Sequence, residues 1–465
     1  MLASFGGTSV LNYGFSLIMG WLLLPGDFGW LAFAQAVILV AGLVLQQGVT
    51  WSLARAVANA DRPTQGALVR GALLANLAIA LTLGAAVALL FAAGPLRSGL
   101  ETASVAAIVA LCFLFIALAA TARGYAQGSE RFGLVAGLQV TEIMCKVLAG
   151  TTLVLLGFGA PGAIVGFLIG GISATTLGFY YLYRSGVSLR GSVELPRIRL
   201  AAPMFIALFG LSLLLNLDLV ALKLFAPDRA LVGYYQAGLV LANAPYYLVT
   251  VGFIQVLFIR LARLDNLTAT REAVGEALGL IVTLVLPIEV VMMIMPEQTL
   301  LALFPNSYAP GASALRLLAL GNALLILVAI LSATFQAVGR ARVPALVLLT
   351  TVAVESLVLR VVVPYREAIG AASVFVTAAA FVLFVLGTIY LLETGVGTIR
   401  RAAAWLSKYA SAVGAGVAAG FVMLSLSQNS NLSLLTGGAC YVAAAFALRL
   451  VEPLALLNRR TLVRG

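Results

Sequence analysis

Apolar residues run along this chain in long, nearly continuous blocks, each parted from the next by a short cluster of Gly, Pro, Asn or charged residues. The blocks are rich in Leu, Ala and Val and lack the strict alternation of a half-buried strand, so they read as helices. A hydrocarbon core about 30 Å thick takes roughly 20 apolar residues per helix, which gives a chain of this length about fourteen spans. The pattern predicts them near 3–24, 29–51, 66–93, 102–122, 132–156, 161–183, 200–225, 231–259, 273–295, 312–337, 343–363, 368–391, 402–425 and 432–456. The longest connections, near 184–199 and 296–311, are too short to fold as domains, so no soluble catalytic module is expected. The first apolar run is full length and lacks a small-residue cleavage pattern, so a removable signal peptide is not expected either.

Composition agrees with an all-α polytopic membrane protein: 62% of the 465 residues are apolar, 10% are charged and the mean hydropathy is +1.09. The formal charge of +11 is distributed by side. With the amino terminus inside, Arg55, Arg62, Arg70, Arg123, Arg131, Arg184 and most later Arg residues fall on the cytoplasmic side. Arg97, Arg229, Arg360 and Arg366 fall near the other side, whereas Lys146, Lys223 and Arg316 fall within spans. The positive charge is therefore a topology and lipid-headgroup signal that requires no nucleic-acid partner. Both termini are expected in the cytoplasm. Cys112, Cys145 and Cys440 lie inside spans and read as packing residues. The absence of His removes an imidazole relay and a typical zinc site, and there is no GxxxxGK[ST] phosphate cradle, so no cofactor or bound ATP is expected.

The chain repeats itself. "FGWLAFAQAVILVAG" from Phe28 has a counterpart in "VGYYQAGLVLANAP" from Val232, "ATARGYAQGSERF" at 120–132 in "LSATFQAVGRARV" at 331–343, and "GAPGAIVGFL" at 159–168 in "EAIGAASVFV" at 367–376. These pairs align Gly29 with Gly233, Gly128 with Gly339, Arg131 with Arg342 and Gly162 with Gly370, a shift of about 208 residues that maps the first six spans onto the next six. Because six is even, both halves start on the same side and are related by an axis along the membrane normal. The expected organisation is a six-helix lobe at 1–190, a second at 191–395 and two additional helices at 396–465. Gly-rich segments at 162–171 and 414–420 read as packing seams inside the bundle, with a monomer as the expectation.

"LLLPGDFGWLAFAQ", "VGYYQAGLVLANAP", "LFPNSYAPGASALRLLALG" and "TFQAVGRARVPAL", in this order and spacing, resemble the polysaccharide flippases of the multidrug/oligosaccharidyl-lipid/polysaccharide exporter superfamily. The resemblance spans nearly the whole chain. It implies a two-lobed, fourteen-helix fold with a central cavity in a bacterial inner membrane. It also implies alternating-access movement of undecaprenyl-pyrophosphate-linked oligosaccharide to the outer leaflet, and membrane lipids and glycan polymerase machinery as partners. The first span has no basic residue, whereas the related lipid II flippases carry arginines there, which argues against lipid II as substrate.

A lipid-facing charge at mid-bilayer costs at least about 2.5–3.5 kcal/mol, so intramembrane ions should mark the substrate cavity. In the fifth span Gln139, Glu142 and Lys146 recur at spacings of three and four and share a helix face. They read either as cavity groups or as an ion pair locking this helix to a neighbour. The eleventh span carries Glu355 and Arg360, five apart, with Arg360 close enough to the outer end to snorkel. In the seventh, Ser212, Asn216 and Lys223 lie on one stripe and Asp218 roughly opposite. The resemblance favours the acid as the cavity group, the alternative being a bond within its own lobe. Glu289 follows Pro287 and sits about 10 Å from the outer end, within reach of water. Candidates for the pyrophosphate are Lys146 in the cavity and Arg55, Arg123 or Arg316 near its edges, with simple topology determination the other reading of Arg55 and Arg123.

The acids leave proton or sodium coupling open. They also leave open a multidrug and toxin extrusion antiporter of the same superfamily, although the two extra helices and the near balance of intramembrane charges count against it. A glycosyl polymerase or ligase is excluded: it needs a large outer loop with acid–base groups, and the loop at 296–311 holds only Glu297.

Overall fold

A computed structural model describes residues 2–93, 100–188, 190–196, 202–226, 228–264, 266–394, 411–416, 418–419, 422–423, 425–426 and 430–447. Among these residues all regular structure is helical. We number the helices α1 (Leu2–Leu22), α2 (Pro25–Leu43), α3 (Thr50–Ala58), α4 (Arg62–Ala93), α5 (Leu100–Gly128), α6 (Phe132–Leu153), α7 (Gly159–Arg184), α8 (Ala202–Leu214) and α9 (Leu217–Phe225). There follow α10 (Arg229–Leu248), α11 (Gln255–Leu261), α12 (Leu267–Leu284), α13 (Leu286–Ile294), α14 (Pro296–Leu303), α15 (Ala312–Ala337), α16 (Arg342–Thr394) and α17 (Ser430–Ala447). The thirteenth predicted span, 402–425, lies largely outside the described residues, as does the end of the fourteenth.

Seven helices are long and apolar enough to cross a bilayer among the described residues, or eight if the bent pair α8 and α9 is one span. Two of the seven, Phe132–Arg184 and Arg342–Glu393, run over 53 and 52 residues, about 80 Å of helix and far more than a membrane is thick. Each is two spans folded back at a break. The first breaks at Gly157 and Gly159, with φ of 91° and 53°. Beyond it a Cβ on Gly166 would lie 2.7 Å from Gly150 Cα, and one on Gly170 would lie 2.5 Å from the Glu142 carbonyl oxygen. Only hydrogen side chains let α7 come this close to α6, so the glycine-rich segment at 162–171 is an internal seam. The second breaks at Glu367, with φ 48°, and an ion pair of Arg340 with Glu393 joins the two ends of that hairpin.

Local backbone features recur at the spacing of the sequence repeat. A π-helical turn interrupts the second span at Val44–Val49 and the eighth at Val249–Ile254, 205 residues later (249 − 44). Gly159 has φ 53° and ψ −145°, and Glu367, 208 residues later (367 − 159), has φ 48° and ψ −134°. Arg131 N–H donates to the Ala126 carbonyl at 2.8 Å, and Arg340 N–H donates to the Phe335 carbonyl at 2.7 Å. This last pair corrects the alignment of Gly128 with Gly339 and of Arg131 with Arg342. The structural partner of Gly339 (φ 81°) is Glu130 (φ 56°), and that of Arg131 is Arg340. Matching glycine to glycine misled because Glu130 adopts the left-handed conformation that Gly339 adopts without a side chain.

Contacts divide the chain into two compact units, one of residues 1–236 with 359–371, the other of 237–358 with 372–465. In the first, the two turns that announce the repeat meet: a Cβ on Gly233 would fall 1.8 Å from the Pro25 carbonyl oxygen. The connection after α7 is bound to α4 in the same unit. Arg70 donates to the carbonyls of Ser188 at 2.7 Å and Ser192 at 2.6 Å, and to that of Arg190, while Glu194 N–H donates to the Ala67 carbonyl at 3.1 Å.

Candidate functional site

The intramembrane charges of the first unit fall into two groups. One lies across α1, the π turn after α2, α5 and α6. The close seam with α7 fixes the α6 backbone at Glu142 and Lys146, and spacing by one turn places their side chains one above the other. They do not pair with each other. Glu142 is ion-paired with Arg123 of α5, whose guanidinium also donates to Gln46 Oε1 at 2.8 Å. Lys146 donates to the Asn12 side chain of α1, and its ammonium lies 4.9 Å from the centre of the Phe15 ring and 4.6 Å from that of Phe167.

Arg123 is therefore a buried, ion-paired residue. It is 5% exposed, as is Lys146, and its Nε, also buried, has no hydrogen-bond partner. Two buried cations thus face one acid, a local excess of one positive charge in a setting of unsatisfied donor capacity. An unpaired buried donor costs about 1–3 kcal/mol, more when charged, so the arrangement suits an incoming anion. Gln139 lies half-buried one turn before Glu142 on the same helix. Asn12 and Gln46, which complete this group, are amides in apolar runs of the sequence. That is the only signal the sequence carries for them; the structure adds, for Gln46, the π turn that encloses it, a feature frequent at functional sites.

The second group lies where the seventh span breaks. Helices α8 and α9 meet at 46°, with Asn216 at the junction and its side chain donating to the Ser212 carbonyl at 2.8 Å. The stripe expected for a continuous helix is lost here, because the break resets the rotation of everything after it. Ser212, Asp218 and Lys223 are all buried. Asp218 is 0% exposed; it accepts from Leu219 N–H at 2.7 Å and from the Tyr235 hydroxyl of α10, within its own unit. Lys223 lies with its ammonium 3.7 Å from the centre of the Trp30 ring.

The remaining candidates are dispersed. Arg55 at the end of α3 and Arg316 in α15 are exposed. Glu355 is buried and Arg360 exposed, and the two fall in different compact units. Glu289, expected to reach water, is instead 0% exposed.

The family profile described as "Polysaccharide biosynthesis protein" matches residues 1–264, more than half of the chain and the part that holds both groups of charges. The chain belongs to this family. Its fold is similar to that of solved transporters, at low sequence identity. A lipid II flippase, MurJ, in an inward closed conformation superposes with TM-score 0.75 at 13% identity, covering 98% of this chain and 99% of that one. A multidrug resistance MATE family transporter of the MOP superfamily, inward-facing, gives 0.67 at 14% identity, with 84% and 96% covered. The eukaryotic MATE transporter AtDTX14 gives 0.57 at 15%, with 84% and 93% covered. No curated protein matches the sequence. This member of the polysaccharide biosynthesis family is thus a multi-pass membrane protein with the fold shared by flippases and MATE transporters.

Proposed function

We propose that the chain is a flippase that carries an undecaprenyl-pyrophosphate-linked oligosaccharide from the cytoplasmic to the periplasmic leaflet of a bacterial inner membrane. The observation that carries this reading is the net-positive buried strip of Arg123 and Lys146 against the single acid Glu142, in a chain of the polysaccharide biosynthesis family. Lys146 is the group best placed to take the pyrophosphate, since an amide and two ring faces hold it and no carboxylate neutralises it. Arg123, with a free Nε, is the second. Gln139, Asn216, Glu355, Arg360, Asp218, Arg55 and Arg316 complete the set for the sugar, the pyrophosphate and the cavity rim. In this reading the lobes 1–190 and 191–395 alternate access without bond chemistry, residues 396–465 add two helices, and both termini are cytoplasmic. A monomer works with membrane lipids and hands substrate to glycan polymerase machinery. The basic-free first span disfavours lipid II.

The fully buried acids Asp218, Glu289 and Glu355, with the MATE-like fold, support a second reading as an organic-cation antiporter. Proteoliposomes distinguish the two. Transbilayer movement of the lipid-linked oligosaccharide should fall at least about tenfold in Lys146→Met, the loss of one charge-assisted contact, while a cation dye stays outside. Ion-driven dye uptake with the lipid-linked sugar immobile would refute the flippase reading.

A further inference from the structure

Glu289 has no role in the strip described above, and its setting differs from that of every acid in the first unit. It stands in the first turn of α13, five residues before the helix ends at Ile294, about 8 Å inside that end. The side chain is 0% exposed and neither carboxylate oxygen has a hydrogen-bond partner. The helix breaks immediately before it: Val285 has φ −108° and ψ −46°, and Pro287 follows. Helices α12, α14 and α15 pack on α13, and the charged residues they carry are Arg271, Glu272 and Glu276, then Glu297, then Arg316. None of these forms an ion pair or hydrogen bond with Glu289. In α15, Asn322 is also fully buried, and while its amide nitrogen donates to Leu318, its Oδ1 has no partner. The interior of this unit thus offers acceptors with nothing to accept from.

A carboxylate cannot stay ionised in such a place without a counter-charge or donors, and the least demanding way to neutralise it is to hold a proton. A metal-like cation would need several converging oxygens, whereas a proton needs only one. We propose that Glu289 is a proton-binding site of the second compact unit, occupied in this conformation and able to release its proton when α13 moves about the break at Val285–Pro287. The inference stands whichever substrate the chain carries.

The test is infrared spectroscopy of the full-length protein in lipid. It follows the carbonyl stretch of protonated carboxyl groups through a pH titration in wild type, Glu289→Gln and Glu289→Asp, with Asp218→Asn and Glu355→Gln as references. At neutral pH, Glu289→Gln should lose one component of the wild-type band that both reference variants retain. Glu289→Asp should shift that component, and in wild type it should respond to the pH titration. Gln has the shape of the protonated acid, so the variant is expected to fold; the Asp variant and the wild-type titration carry the test if it does not. A wild-type band unchanged by either substitution would overturn the proposal. So would a component that sodium removes at constant pH, which would make the site one for sodium.

Discussion

At the residue scale, Arg123, Glu142 and Gln46 form a three-membered buried contact in the first unit. The guanidinium is buried and joins three elements, α5, α6 and the π turn after α2. Truncating one member of such a pair leaves the other charge without compensation, which costs about 3 kcal/mol when both are buried; Glu142 keeps 23% of its side-chain exposure, so solvent reduces that figure. Arg123→Ala should therefore lower the thermal unfolding midpoint in detergent far more than Glu142→Gln, which keeps the shape and a hydrogen-bond acceptor. Equal losses would show that the charge of Glu142, and not satisfaction of Arg123, is what matters. The sequence shows the acid and the base on α6 but not their partners. Spacing along one helix reports which residues share a face, whereas Arg123 lies 19 residues before Glu142 on another helix, and only packing brings it to the same depth. The interior position of Glu289 escaped for the same reason: distance from a helix end sets depth, not what covers the side chain.

At the element scale, most spans were legible because continuous apolar runs leave a chain no other way to satisfy its backbone in lipid. The break between α8 and α9 was not, since neither Gly nor Pro stands at the junction and the polar residues around it, Ser212, Asn216, Asp218 and Lys223, do not by themselves say where the helix ends. The break before α13 is different, because Pro287 announces it. Its ring removes the N–H that the carbonyl of Thr283, four residues earlier, would accept from. The structure supplies the substitute: the Tyr441 hydroxyl of α17 donates to that carbonyl. Helix α17 thereby completes a helix 158 residues upstream (441 − 283). A double-mutant cycle tests the link. Tyr441→Phe alone should cost about 1 kcal/mol. In the background of Pro287→Ala, which restores the helical donor, the same change should cost close to nothing. Additive effects in thermal or chemical unfolding would mean that the hydroxyl and the proline act independently.

At the scale of the whole molecule, the repeat is written more plainly in backbone angles than in residue identities. The fold-back between spans has nearly the same φ and ψ at Gly159 and at Glu367, yet one position is glycine and the other is not. With φ 48° and ψ −134°, Glu367 occupies a region that costs a residue with a side chain on the order of 1–3 kcal/mol. Each half therefore imposes the same hairpin geometry, and only the first uses the residue that adopts it freely. Copying the first half into the second gives a direct expectation: Glu367→Gly should stabilise the protein by about 1 kcal/mol, the relief of strain partly offset by the greater freedom of glycine in the unfolded chain. The reverse change, Gly159→Ala, should destabilise it by a comparable amount. Thermal unfolding of both variants in the same detergent checks the pair. If Glu367→Gly were neutral or destabilising while Gly159→Ala lost stability as expected, the two hairpins would not be energetically equivalent, and the Glu367 side chain would be contributing a compensating interaction of its own.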